Sequence, residues 1–366
     1  MTVPNATRPR RRRFRDLLLT THLVVGVSAS PFLAVVGVTG ALLELEGPAS
    51  DRANAPLTHV TAHGAALPLD TIVARAVATH PGATPRDIFV GARPDRAYQV
   101  DLAVPGARGR AGSLVDPYSG RVIAPLSALR APLQRVHLLH TRLLLGPAGS
   151  AVVATAAAAL VFLCATGLWL WWPLKIVRVR GGARRRVLLD LHAALGICSW
   201  VFLLVLAVSG MVVHWDDGAT TLVSRLAGAG TLAEPPTRAP GCDAPRLGAD
   251  ALVARARAAT PGATPTGVFF GPLARVQLRY PEDRTPAGRT NVYLDGCTGR
   301  TLDVVSSRTA PLGWRYAHVW NRPLHTGEVL GWPTRVLAAL ASLTLPLLAL
   351  TGPLLWLSRR PPNGPT

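Results

Sequence analysis

Four long apolar stretches constrain this chain more than any motif in it. They run over 17–43, 148–172, 187–213 and 336–357. A helix needs about 20 apolar residues to cross a bilayer, so each stretch is predicted to span one. With 49% of 366 residues apolar, the composition is that of a membrane protein. Two hydrophilic stretches, 44–140 and 214–325, separate the first span from the second and the third from the fourth. The expected partner of the spans is the lipid bilayer.

The net charge of +19 is unevenly placed. Arg8, the arginines at 10–13 and Arg15 precede the first span. Lys175, Arg178, Arg180 and the arginines at 184–186 fill the short loop after the second, and Arg359 and Arg360 follow the last. Basic residues flank spans on the cytoplasmic side. The basic N-terminus 1–16, the loop 173–186 and the tail 358–366 are therefore expected in the cytoplasm, and both hydrophilic stretches outside. This placement accounts for the charge and argues against nucleic acid as a partner. The first span is too long for a signal-peptide core. It ends in Glu44 and Glu46 without a small-residue cleavage site, and is read as retained.

The chain also repeats itself. Thr21-His22-Leu-Val-Val-Gly26 parallels Leu191-His192-Ala-Ala-Leu-Gly196, and Val38-Thr39-Gly40 parallels Val208-Ser209-Gly210. Asp70 and Arg75 match Asp250 and Arg255, and Asp116-Pro-Tyr-Ser-Gly120 matches Asp295-Gly-Cys-Thr-Gly299. His140-Thr141 with Thr166-Gly167 matches His325-Thr326 with Thr351-Gly352. Each half reads as span, hydrophilic domain, span, and both halves enter from the same side. Each hydrophilic domain reads as a small α+β unit: a helix near 71–79 or 251–259, then paired strands.

The repeat pairs four histidines. His22 and His192 lie a turn or so inside matching ends of their spans, roughly 8 Å deep at 1.5 Å per residue. An ionisable group at that depth is costly and calls for a function. Gly26 and Gly196 follow one turn on, on the same face, which leaves room for a flat bulky group. Close helix packing would use the same glycines. A lone histidine here would be read as structural. A duplicated pair at equal depth instead favours two axial ligands of one haem. His140 and His325, at the opposite ends of their spans, form a candidate second pair. Two haems at those levels would stand roughly 20 Å apart, iron to iron. His137, three residues before His140, together with His214 and His318, are reserve ligands. His59, His63 and His80 read as solvated surface.

Of the four cysteines, Cys164 and Cys198 fall inside spans and read as packing residues. Cys242 and Cys297 lie in the second hydrophilic stretch, and a bridge between them would be worth on the order of 4 kcal/mol. There is no Cys-x-x-Cys-His for covalent haem, and no Gly-x-Gly-x-x-Gly, Gly-x-x-x-x-Gly-Lys or His-Glu-x-x-His. An electron donor would then be a separate cytoplasmic reductase or the quinone pool.

The repeated unit with its Asp116–Gly120 and Asp295–Gly299 turns resembles a PepSY domain. The histidine-bearing spans, their terminal Thr-Gly, His325-Thr-Gly327 and the exit Trp169-Leu-Trp171-Trp172-Pro173 resemble the PepSY-associated transmembrane family. That resemblance implies a four-helix membrane bundle with two extracytoplasmic α+β PepSY-like domains. It also implies a multi-pass protein of the bacterial inner membrane with both termini in the cytoplasm. Iron-regulated membrane proteins and ferric-siderophore reductases are of this kind. They imply two haems b, bound by His22, His192, His140 and His325, and an oxidoreductase that reduces ferric siderophore at the outer face to release iron. The residues leave two other readings open: a non-enzymatic binding or regulatory membrane protein, and a transporter for iron or its chelate.

Overall fold

The computed structural model describes residues 8–106, 111–173, 175, 177–230, 232, 236–237 and 245–358. The outermost tails 1–7 and 359–366 lie outside the described residues, as does Cys242. The helices are α1 (Arg8–Leu43), α2 (Glu46–Thr58), α3 (Leu69–Ala78), α4 (Gln134–Arg142), α5 (Gly146–Trp171) and α6 (Arg184–His214). They continue with α7 (Asp216–Leu226), α8 (Ala249–Ala259), a single turn α9 (Leu312–Trp314), α10 (Asn321–His325) and α11 (Trp332–Leu357). The strands are β1 (Thr84–Phe89), β2 (Tyr98–Ala103), β3 (Ala111–Val115), β4 (Val122–Pro125), β5 (Thr264–Phe269), β6 (Leu273–Arg279), β7 (Thr290–Asp295) and β8 (Thr301–Val305). The chain divides into two units: Met1–Gly47, Leu133–Asp216 and Asn321–Thr366 make the first, Pro48–Pro132 and Asp217–Trp320 the second.

The first unit holds four helices long and apolar enough to cross a membrane, Arg12–Leu43, Gly146–Trp171, Arg184–His214 and Trp332–Leu357. Only 22–28% of the residues in each apolar window are buried within the chain. Val24, Val201, Leu340 and Leu350 are among those left more than half exposed. An apolar surface of that extent belongs against lipid, so the protein is a multi-pass membrane protein. Helix α1 packs on α5 and α11, and α6 packs on the same two. The seam is built of small residues around a few leucines: Ala29, Ala156, Ala207 and Ala341 with Leu33, Leu160, Leu203 and Leu345. In lipid such contacts rest on close backbone approach. At Gly37, a Cβ would lie 2.7 Å from both Leu345 Cβ and the Ser342 carbonyl.

The second unit corrects the expectation of two separate α+β domains. The order helix then four strands does occur twice, but the strands join in one sheet, β4-β3-β2-β1-β5-β6-β7-β8. The join is antiparallel, Asp87 opposite Phe269, Ile88 opposite Val268 and Phe89 opposite Gly267. The Val90 N–H donates to the Thr266 carbonyl and the Phe270 N–H to that of Arg86, both at 2.9 Å. The physical reason is that an isolated four-stranded unit would expose β1 or β5 as an unpaired edge. Pairing the two removes both edges and merges two small cores into one. Ile72, Ile88 and Val100 share that core with Leu252, Val268 and Val276.

Each half also caps the other's helix. The Asp250 carboxylate accepts the Leu69 and Asp70 N–H groups at 3.0 Å, at the start of α3. The Asp70 carboxylate accepts the Ala249 N–H at the start of α8. A carboxylate there satisfies orphan donors and meets the positive helix end. Asp250→Ala should therefore lower the unfolding free energy of the sheet unit by about 1 kcal/mol. Denaturant unfolding of the full chain, followed by far-ultraviolet ellipticity, checks it; an unchanged midpoint would remove the capping role. The repeated turns are built alike. Asp116 accepts from Tyr118 N at 2.9 Å and Asp295 from Cys297 N at 3.0 Å, with Gly120 and Gly299 at φ +71° and +72°. Cys297 is disulfide-bonded.

Candidate paired-histidine sites

The first unit brings the four expected histidines together in twos. His22 of α1 and His192 of α6 line one cavity of 380 Å³ within the bundle. Its walls repeat: α1 residues that line it recur in α6 at a constant offset of 170, as Arg15 and Arg185, His22 and His192, or Gly26 and Gly196 do. All but one of those from α5 recur in α11 at an offset of 185, as Gly167 and Gly352, or Trp171 and Trp356 do. The duplication has thus produced a cavity with nearly equivalent halves. Apart from the histidines, Ser30 and two arginines, its lining is apolar, aromatic or glycine and cysteine.

At the other end of the same helices His140 of α4 and His325 of α10 face each other. Their ring centroids are 6.3 Å apart, tilted by 50°. That spacing suits one metal centre held between two imidazole nitrogens, each at about 2 Å. The two levels are seventeen residues apart along α1, from His22 to Thr39, and again along α6, from His192 to Ser209. At 1.5 Å per residue this is about 25 Å.

One device serves all four rings. His22 Nδ1 lies 2.7 Å from Thr166 Oγ1, and His192 Nδ1 lies 2.8 Å from Thr351 Oγ1. His140 Nδ1 lies 3.0 Å from Thr39 Oγ1, and His325 Nδ1 lies 3.0 Å from Ser209 Oγ. Each hydroxyl is buried and donates its single hydrogen back to the carbonyl four residues earlier: Phe162, Leu347, Val35 and Val205, at 2.6–2.9 Å. A carbonyl only accepts, so a hydroxyl that gives its hydrogen there accepts from Nδ1–H. His140 Nδ1 also reaches the Val36 carbonyl at 3.1 Å, which requires the same proton on Nδ1. The tautomer follows from the network: Nδ1 carries hydrogen and Nε2 keeps its lone pair. Fixing one ring nitrogen so that the other is free to ligate is how proteins prepare a metal-binding histidine.

At the His140–His325 level the glycine after the hydroxyl makes room for the ring, while at the His22–His192 level a Cβ would only touch it. A Cβ at Gly40 would come within 3.1 Å of His140 Cε1, and one at Gly210 within 3.2 Å of His325 Cε1. At Gly167 and Gly352 the distances are 3.4 Å to His22 Cε1 and 3.7 Å to His192 Cε1. Residues 19–359 match the family described as the PepSY-associated TM region. The chain belongs to that family. No curated protein matches it.

The Thr/Ser-Gly pairs of this PepSY-associated TM chain were visible in the repeat, but not their partners. Sequence reasoning gave the neighbouring-glycine role to Gly26 and Gly196. Both line the cavity, yet a Cβ there would meet Leu163 at 3.6 Å and Leu348 at 4.0 Å rather than a histidine. The reserve histidines stand apart from the pairs. His137 is exposed and 3.4 Å from Glu46 Oε2. His214 shares 3.1 Å with Ser150 Oγ and sits edge-on to Trp215. His318 stacks on Trp314 in the second unit, with centroids 4.7 Å apart.

Among the described residues no group of three or more His, Cys, Asp or Glu side chains is placed to hold a metal ion. Two nitrogens do not complete a structural metal site, which takes about four protein ligands. They suit a metal whose other positions a macrocycle fills. For His140, burial first and the neighbouring His325 second hold the imidazole's pKa down to about 4 from 6.5. Burial also lowers that of His325. The sign follows from proton uptake. As pH falls below 6.5 the unfolded chain takes the proton and the folded one does not, so stability drops until about pH 4. The cofactor-free protein in detergent should melt lower at pH 5 than at pH 7. His140→Gln should flatten that slope, and an equal slope in the variant would assign it elsewhere.

Proposed function

We propose that this is a haem b-binding membrane protein that passes electrons across the bilayer, with one haem held by His22 and His192 and a second by His140 and His325. The observation that carries the reading is the fourfold histidine–hydroxyl–carbonyl relay. It occurs at four repeat-related places and has the same consequence each time, an imidazole with Nε2 unprotonated. A structural histidine needs a partner for one nitrogen, but nothing in packing requires the same tautomer four times in facing pairs.

When bound, a b-type haem supplies one-electron exchange at its iron. The chain's own part is to ligate, orient and shield. The imidazoles would bind through Nε2, the threonine and serine hydroxyls hold the rings, Gly40 and Gly210 give clearance to His140 and His325, and the apolar lining around His22 and His192 excludes water. The basic flanks support a cytoplasmic end at the His22 level, both termini on that side, and electron flow outward from a cytoplasmic reductase or quinone. The acceptor, by family resemblance, is a ferric siderophore outside the membrane, making the protein an oxidoreductase that releases iron on reduction. A disulfide at Cys297, with Cys242 as the partner expected from the sequence, would belong to the same outward placement.

A second reading is a non-enzymatic PepSY-type binding or regulatory membrane protein. It is favoured by family membership that carries no activity of its own, and by a continuous eight-stranded sheet suited to partner binding. One measurement separates the two. Protein purified without added haem should show the sharp, reducible bands of low-spin bis-histidine haem, with two haems per chain. A preparation that is folded and colourless would leave the binding reading.

A further inference from the structure

The cavity of His22 and His192 contains two arginines that the axial ligation does not use. Arg15 precedes His22 by seven residues and Arg185 precedes His192 by seven. Seven residues are close to two helical turns, so each arginine shares the face of its histidine. Both line the cavity, while their neighbours Arg12, Arg13, Arg184 and Arg186 do not. Neither has a hydrogen-bond or ion-pair partner among the described residues. Topology accounts for basic residues in these flanks, but it sets neither their face nor their register. Both guanidinium groups are exposed at one end of an otherwise apolar cavity, a place where each can meet the anionic edge of a ligand whose apolar body the walls cover. The planar fork of arginine binds a carboxylate through two parallel hydrogen bonds.

We propose that Arg15 and Arg185 bind the two carboxylates of a flat macrocyclic ligand, one each, and so select a dicarboxylate porphyrin over an uncharged one. This rests on the reading of His22 and His192 as axial ligands. It adds a determinant of which macrocycle enters and which of its edges points to the arginine end.

The test uses the full chain stripped of cofactor, in a His140→Ala background so that a single site is titrated. The probes are iron protoporphyrin IX and its dimethyl ester, followed by absorbance. The diacid should bind more tightly than the ester. Arg15→Gln and Arg185→Gln should each weaken the diacid about tenfold and the double variant about a hundredfold, toward the affinity of the ester. Ester binding should not change, Arg13→Gln should behave as the parent, and Arg15→Lys and Arg185→Lys should keep part of the preference. Equal binding of diacid and ester by the parent would overturn the proposal, as would an Arg13→Gln loss as large as that of Arg15→Gln. Binding of both probes with no preference leaves the histidine assignment standing and the arginine one refuted. Binding of neither refutes both.

Discussion

His22→Ala and His192→Ala should each cost the protein one haem of two, with the same spectrum left behind in both variants. The equivalence is the informative part. The two residues line one cavity at repeat-related positions, and each is tied through Nδ1 to the threonine of a Thr-Gly pair, Thr166 or Thr351. Removing either imidazole leaves one axial nitrogen in an apolar space, where a five-coordinate iron would be weakly held. Low-spin absorption should fall by about half in each variant, since bis-histidine sites contribute alike. The pair at His140 and His325, seventeen residues away along α1 and α6, should stay loaded. Electron transfer across proteoliposomes from an inside reductant to an outside acceptor should stop in both. Imidazole added to the buffer should restore part of the spectrum by filling the vacated position. Structural histidines would behave otherwise: stability would shift while haem content stayed at the parental value, and that result in both variants would end the assignment.

How much of this was legible beforehand differs by element. The four spans were readable because twenty-odd apolar residues have few alternatives, and their observed limits lie within a few residues of the hydropathy limits. The helices at 71–79 and 251–259 were readable from apolar spacing, and appear as Leu69–Ala78 and Ala249–Ala259. The single sheet was not readable. Its central contact, Asp87 to Phe89 against Gly267 to Phe269, joins segments 180 residues apart, and no local signal says which strand edge seeks a partner. The pairing of the histidines in space was readable through the repeat, because equal positions in duplicated spans fold to equal places. Their hydroxyl partners were quoted as repeat markers yet left without a role. Thr39 and Thr166 sit far from His140 and His22 in sequence, and the bond between them depends on which helices become neighbours. Even so a clue was present: within the apolar spans a hydroxyl residue followed by glycine occurs four times, at Thr39, Thr166, Ser209 and Thr351, as often as the paired histidines.

Those hydroxyls lead to the second large effect. Thr166→Val and Thr351→Val should each weaken haem binding at the His22–His192 site by roughly 10–100-fold, the usual cost of losing a partner that orients a metal-binding histidine. Valine keeps the shape of threonine and removes the acceptor of Nδ1–H. The bond lost is short, 2.7 Å for His22 and 2.8 Å for His192, and both hydroxyls are buried, so water does not readily replace them. The imidazole then has no reason to keep its proton on Nδ1, and a buried donor is left unpaired. Serine at either position should retain most of the affinity, because Ser209 performs the same task for His325 at 3.0 Å. The double variant Thr166→Val with His22→Ala separates orientation from packing. With imidazole added to fill the vacated position so that the His22→Ala site can be titrated, the threonine's effect on haem affinity should vanish if it acts through the ring, giving a coupling as large as the single effect. A Thr166→Val loss that persists in the His22→Ala background would make the threonine a packing residue, and the tautomer argument at that site would fail with it.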